Sequence, residues 1–442
     1  MGNPSHVIVL MFENRSFDHM FGYLPDIGDL TGEEFNLVDP ANPESERVYV
    51  SEPVQPNAVI SPSHEFVDTQ EQLFGGAKQV EPAAMSGFVL NASRIYHGDV
   101  TEAKLVMECQ APSAIPVLSR LATEYAACTR WFSSVPGPTF PNRFYVHSAT
   151  SAGDVTDNRL EPAVATIQAR LAAANHSWRV YAGDIPQCLA IESLLKQFVK
   201  DLLNPFGEHH FHGLSQFFED LKGGSLPNYS FLEPHYFETS LWHASDEHPP
   251  HALKYGEALL GAVVSSLAES DYWEDSLLVV LYDEHGGFYD KISPPTGVPN
   301  PDGRVDVNPP FDFTRLGIRV PAVLVSPFIE AGTIDSTVYE HASVPATLNK
   351  LFQLGPENFL TARDRAANTF ERNLRRSVPR SRDELQWASE HAQAHQSEVS
   401  AQKNHLRQTI AAVVEVMKEP CEELSDFQKS LLQLLRELLP HL

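Results

Sequence analysis

Cysteine is scarce. The chain of 442 residues has four, Cys109, Cys128, Cys188 and Cys421, with no CxxC or CxH spacing among them. That excludes a thiolate zinc site and a disulfide framework, and leaves small buried hydrophobes as the expected role. Basic residues are short as well, 32 Lys and Arg against 58 Asp and Glu, for a formal charge of −26. The sign is wrong for coating a nucleic acid or an anionic bilayer, so no nucleic-acid partner is expected. Any phosphate-bearing ligand would need a local positive centre. Long apolar runs are missing too: no stretch approaches the roughly eighteen residues of a membrane span, and no stable membrane insertion is expected. The first strand is entered by Val7, which leaves no room for a signal peptide and makes a cytoplasmic location the expectation.

What the chain does have is two apolar strands that end alike. An apolar run from His6 to Met11 leads through Phe12 into Glu13 and Asn14, and a six-residue apolar run within "SLLVVLYDEHGGFYD" (276–290) leads into Asp283 and Glu284, followed by His285 and two glycines. In an open parallel α/β sheet, ligands gather beyond the carboxyl ends of the strands. Glu13, Asn14, Asp283 and Glu284 are therefore expected to converge. Three acids and an amide repel or orphan one another unless a cation holds them, and hard oxygen donors suit a divalent metal such as Ca, Mg, Mn or Zn.

Between these strands, "SVPGPTFPNRF" fixes a turn around Thr139, with a helix expected to start near Pro141 or Asn142. The free N–H groups of that helix, with Arg143, would hold an anion. Thr139 reads equally well as a nucleophile or as an ordinary N-cap. Helical patterns at 115–130, 165–175, 251–270 and 342–354 alternate with strand patterns at 177–183, 226–234 and 319–328, which favours an α/β sheet. Residues 26–62 read as loop. From about Ser377 the composition changes, giving a catalytic unit over 1–376 and a helical extension over 377–442. A leucine stripe from 431 to 439 in that extension is expected to pack on the body or on a second subunit, a route to a homo-oligomer.

The ordered motifs "IVLMFENRSFDHMFG", "PGPTFPNRF", "DEHPPH", "YDEHGGFYD", "RLGIRVPAVLVSPF" and "EHASVPATLNKLF" resemble the phosphoesterase family that includes phosphatidylcholine-type phospholipases C and an acid phosphatase. The resemblance implies an alkaline phosphatase-like α/β fold with a central, mostly parallel sheet flanked by helices on both faces. It implies a metal held by Glu13, Asn14, Asp283 and Glu284, with Thr139 as nucleophile and further ligand. By motif order, the pocket histidines fall on His64 in "SPSHEF" and His248 in "DEHPPH". Arg143, His285 and His341 are further candidates for the substrate side. The expected reaction is hydrolysis of a small-molecule or lipid phosphate ester through a phosphothreonine. A sulfate-ester hydrolase or phosphoryl transferase on the same scaffold, and a silent binding protein, are the alternatives.

Overall fold

The computed structural model describes residues 4–53, 60–158, 164–204, 207–239 and 242–392. Eight strands form the central sheet: β1 (His6–Phe12), β2 (Ala126–Cys128), β3 (Trp178–Ala182), β4 (Phe211–Gly213), β5 (Tyr229–Glu233), β6 (Ser276–Tyr282), β7 (Ala322–Val325) and β8 (Thr333–Asp335). They lie in the order β8-β2-β7-β6-β1-β5-β3-β4. The five from β6 to β4 are mutually parallel, β7 runs antiparallel to β6 and β2, and β8 is parallel to β2. This is the mixed, mostly parallel α/β sheet that the alternating pattern implies.

Six helices matter below: α1 (Phe66–Phe74), α2 (Phe88–Ile95), α3 (Pro116–Glu124), α4 (Thr139–Ser148), α5 (Leu253–Glu269) and α6 (Ser343–Leu351). Helix α3 packs on β7 and α5, and α6 packs on α4. β1 and β6 are central and covered on both faces, which is why they read as unbroken apolar runs. A satellite core of Val48, Phe74, Phe88, Val89 and Met107 with Phe288 and Ile318 ties residues 48–107 to the loop after β6. Cys109, Cys128 and Cys188 are free and buried, while Cys421 lies outside the described residues.

Three local expectations shift. The helix expected over 115–130 stops at Glu124, because Ala126–Cys128 pairs with both β7 and β8 and tertiary pairing overrides helix propensity. The 26–62 loop contains a short antiparallel ladder, Phe35–Leu37 against Arg47–Tyr49. Helix α4 begins at Thr139, with Pro141 inside its first turn, where a missing N–H costs no bond. Toward the end of the described residues, Leu385 and Ala388 are buried in the main core, and the leucine stripe at 431–439 lies outside the described residues. Among the described residues no helix is long and apolar enough to cross a membrane.

Candidate active site

Register decides what meets at the carboxyl edge of the sheet. Phe12 of β1 pairs with Tyr282 of β6, so Glu13-Asn14 and Asp283-Glu284 leave the sheet together. The Asn14 N–H donates to Asp283 Oδ1 (3.1 Å), and the Arg15 N–H to the Glu284 carbonyl (3.0 Å). Asn14 sits at a φ of 59°, a left-handed conformation that asparagine tolerates better than most residues. Gly286 permits it, since a Cβ there would lie 2.2 Å from the Asn14 carbonyl oxygen. All four side chains are buried. Burial drives the Glu13 carboxyl well above its ordinary pKa, with Asp283 and Asp246 adding to the rise and Arg143 opposing it. Asp283 is pushed up to about 6 by burial and by Glu284, again against Arg143.

Arg143 is the built-in cation of this group. Its Nε donates to Asp283 Oδ2 (3.1 Å), and its Nη2 to Glu13 Oε1 (3.2 Å) and the Phe12 carbonyl (3.3 Å). Burial opposes the guanidinium charge, but Tyr236, Asp283 and Glu13 outweigh it and raise the pKa. Nη1 is buried without a partner. Arg143 therefore braces the acids, and one nitrogen remains for a ligand.

Thr139 lies one turn earlier on the same helix face. It is the first helical residue and the N-cap position belongs to Pro138, so its hydroxyl caps nothing. Its Oγ1 is buried and has no partner. The cap comes from a distant loop: Asp157 Oδ1 accepts the Phe140 N–H at 2.8 Å. Asn142 clamps the preceding turn from within α4, accepting the Val135 N–H (2.9 Å) and donating to the carbonyls of Val135 (3.1 Å), Gly137 (3.0 Å) and Pro138 (3.0 Å).

The four candidate histidines divide by their ring bonds. His64 lies against Asn14, 3.2 Å from its Nδ2, and its Nε2 is 3.7 Å from Glu284 Oε1. Burial would lower its pKa, but Glu284, Glu65, the Pro62 carbonyl and Asp157 push it up to about 9. His248 is its neighbour, with ring centroids 6.3 Å apart. Burial, together with the nearby His251 and His64, holds its pKa well below the ordinary value. Its Nδ1 donates to the Pro249 carbonyl at 2.5 Å, so the neutral ring carries a lone pair on Nε2, which is buried and unpartnered. His285 and His341 are committed elsewhere. His285 Nε2 donates to Gln72 Oε1 (2.7 Å) and its Nδ1 faces Glu284 Oε2 (3.4 Å). His341 Nε2 donates to the Asp283 carbonyl (2.5 Å) while Nδ1 accepts from the Trp131 indole (3.3 Å). His341 thereby steadies the strand end at Asp283, and neither ring has a nitrogen left over.

Sequence reasoning missed Gln187, whose amide donates to Glu13 Oε1, and Asp157, which accepts the Phe140 N–H at the start of α4. Neither stands near a motif, so no local signal marked them. Asp246 and Glu247 lie inside "DEHPPH" and were legible in principle, because two adjacent acids beside a histidine rarely serve burial alone.

Do these residues fit a divalent cation? Glu13 Oε2, Asn14 Oδ1, Glu284 Oε1 and Thr139 Oγ1 are all buried and without a hydrogen-bond partner. Orphaned oxygens in a protein interior cost about 1–3 kcal/mol each, more when charged, so a cluster of them marks a place for a positive ligand. Among the described residues no three His, Cys, Asp or Glu side chains close on one point by themselves. Two of the four orphaned groups are an amide and a hydroxyl, and Asp283 already accepts from Arg143 and from two backbone N–H groups. The donor set is all oxygen and fits a hard divalent ion.

The sequence profile of the Phosphoesterase family matches residues 5–355, and the chain belongs to that family. It is 40% identical over 399 residues to non-specific phospholipase C1 of Arabidopsis thaliana, covering 85% of this chain and 72% of that one. Identity to non-specific phospholipase C6 of the same plant is 39% over 384 residues, with 83% and 71% covered. Phospholipase C B of Mycobacterium tuberculosis is 26% identical over 407 residues, with 81% and 75% covered. The chain is thus a phospholipase C-like hydrolase. Solved structures align more loosely, among them a phosphonate monoester hydrolase of Agrobacterium radiobacter at 10% identity and a TM-score of 0.38, with 81% of this chain and 75% of that one covered.

Proposed function

We propose that this chain cleaves a phosphodiester of the phospholipid kind in two displacements, through a phosphothreonine on Thr139. The observation that carries the reading is a buried, unpartnered hydroxyl at the first position of a helix whose next turn carries Arg143, locked between Glu13 and Asp283. Glu13, Asn14, Asp283 and Glu284, with the Thr139 hydroxyl, would hold a divalent cation. Such an ion supplies a Lewis acid that lowers the pKa of a hydroxyl and balances phosphate charge.

This chain's own groups supply the rest. Thr139 Oγ1 loses its proton and attacks phosphorus, forming the O–P bond as the P–O bond to the leaving alcohol breaks. His64, with the raised pKa, delivers a proton to the leaving oxygen. His248, neutral with a lone pair on Nε2, is the proton acceptor of the pair. Arg143 Nη1 and the first N–H groups of α4 bind non-bridging oxygens. In the second displacement water attacks the phosphothreonine, gives up its proton to a histidine, and Thr139 takes a proton back.

The test is Thr139→Ala, together with acid-quenched mass spectrometry of the wild type during turnover of a phosphatidylcholine or short-chain analogue. The expected results are a loss of turnover of about 1,000-fold or more with the fold intact, and one added phosphoryl-containing group on the peptide spanning Thr139. An alanine variant that retains wild-type turnover would sink the covalent route.

A further inference from the structure

Glu247 touches the neighbours of three site residues at once. Its carbonyl accepts from Arg15 Nε (2.9 Å) and Nη2 (2.6 Å), and Arg15 follows Asn14. Its Oε2 accepts the Tyr282 hydroxyl at 2.5 Å, and Tyr282 precedes Asp283. In its own segment it precedes His248. The adjacent Asp246 carbonyl accepts the Glu13 N–H at 2.9 Å, which closes the circuit.

This arrangement is costly for a residue that only fills space. Glu247 stands at a φ of 68°, a left-handed conformation that long side chains rarely adopt. Its carboxyl is fully enclosed, and Oε1 has no partner. A second buried acid, Glu257, lies close by and is taken up by the N–H groups of Val117 and Leu118 at the start of α3. Room for Glu247 exists only because residue 256 in α5 is glycine: a Cβ there would lie 2.3 Å from Glu247 Cγ. A core-filling leucine would avoid the enclosed charge, and a residue free of φ strain would avoid the turn. Strained backbone, an enclosed carboxyl and a glycine cut-out converge on one residue next to His248.

We infer that Glu247 is a positioning residue, which through Tyr282 and Arg15 holds His248 in register with the strand ends that carry Glu13-Asn14 and Asp283-Glu284. The inference rests on the reading of His248 as a group that handles a proton. It predicts that damage appears in turnover and not in substrate affinity, and that it can be introduced from α5 without touching the site.

The experiment compares steady-state kinetics and bound-cation content for Glu247→Ala, Glu247→Gln, Tyr282→Phe, Gly256→Ala and His248→Ala. Glu247→Ala and Gly256→Ala should lower kcat by about 100-fold, the scale of a misplaced catalytic group, with KM within about threefold of wild type. Tyr282→Phe, which keeps the ring and drops only the hydroxyl, should lower kcat by about tenfold. Glu247→Gln retains an acceptor for Tyr282 and should stay within about fivefold of wild type. Should the alanine variant fail to fold, Tyr282→Phe and Glu247→Gln decide the matter. Undamaged Tyr282→Phe or Gly256→Ala beside a crippled His248→Ala overturns the positioning role alone, as does a glutamine variant as slow as the alanine one. His248→Ala at wild-type turnover overturns the underlying reading, and the inference with it.

Discussion

His64 carries two demands that exclude each other. Its Nδ1 lies 3.1 Å from the Pro62 carbonyl and must donate there, so an Asn14 amide N–H directed at Nε2 requires a neutral ring. The carboxylates of Glu284, Glu65 and Asp157 nevertheless lift the pKa to about 9 against the effect of burial, which favours the imidazolium. Positive charge between Asn14 and Glu284 resolves the conflict, since it offsets the carboxylates and turns the amide oxygen toward itself. In protein stripped of divalent ions, the His64 ring should titrate at about 9 by NMR, and added Ca or Mg should lower that value toward the working pH of a general acid. Stability follows with a definite sign. The raised pKa stabilises the stripped protein fully below the ordinary 6.5, and the contribution is lost as pH rises through about 9. Denaturation curves of the stripped protein should weaken over that window, and cation should flatten the slope. An unchanged His64 titration with and without cation would remove the ion from this side of the pocket.

Elements explain why part of this site was legible in the sequence. β1 and β6 are buried on both faces and stand next to each other, so their apolar runs and polar ends announced Glu13, Asn14, Asp283 and Glu284 without knowledge of register. β2 is three residues, Ala126–Cys128, with no side chain large enough to give a period, and only its pairing with β7 and β8 makes it a strand. The sequence puts the start of α4 two or three residues late, because Pro141 suggests a first turn and the true cap, Asp157, arrives from a distant segment. His285 and His341 stand out in the sequence only as candidates by position, while their commitment to Gln72 and to the Asp283 carbonyl depends on tertiary contacts. The Thr139 turn is itself an element with a test. Asn142→Ala strips the Val135 N–H of its partner and takes one donor from each of three interior carbonyls, of which that of Val135 keeps the Gly137 N–H, and should cost about 1–3 kcal/mol. Turnover should fall by about 100-fold as Thr139 loses its place. Asn142→Asp keeps the acceptor for Val135 but sets a carboxylate against three carbonyl oxygens, so it should rescue neither stability nor rate. Full activity in Asn142→Asp would mean that the turn holds itself without the amide donors.

For the whole molecule, the open question is where the catalytic unit ends. Composition changes near Ser377, yet the chain beyond it is bound into the body as far as it is described. The Trp273 indole N–H donates to the Arg380 carbonyl at 3.1 Å, and the Arg380 guanidinium reaches the Glu124 carbonyl (2.5 Å) over the Tyr125 ring. Leu385 and Ala388 are fully buried, and Arg120 covers Trp387 at 4.3 Å. Gly261 of α5 is part of the fit, since a Cβ there would lie 3.0 Å from the Ala388 carbonyl oxygen. Removing residues 377–392 would expose the far face of α5, strand the Trp273 N–H and undo the burial of Leu385 and Trp387. Each of those two side chains contributes about 1.5–3 kcal/mol as an upper estimate, and the orphaned donor costs about 1–3 kcal/mol more. A chain ending at residue 376 should therefore melt about 5 °C or more below one ending at 392. The site acids sit at the opposite, carboxyl edge of β1 and β6, so kcat measured well below the melting range should be nearly the same for both. Equal melting temperatures would place the boundary at 376 and make the packed segment an ornament. A large loss of kcat at low temperature would instead tie the extension to the site through α5, whose Gly256 makes room for Glu247.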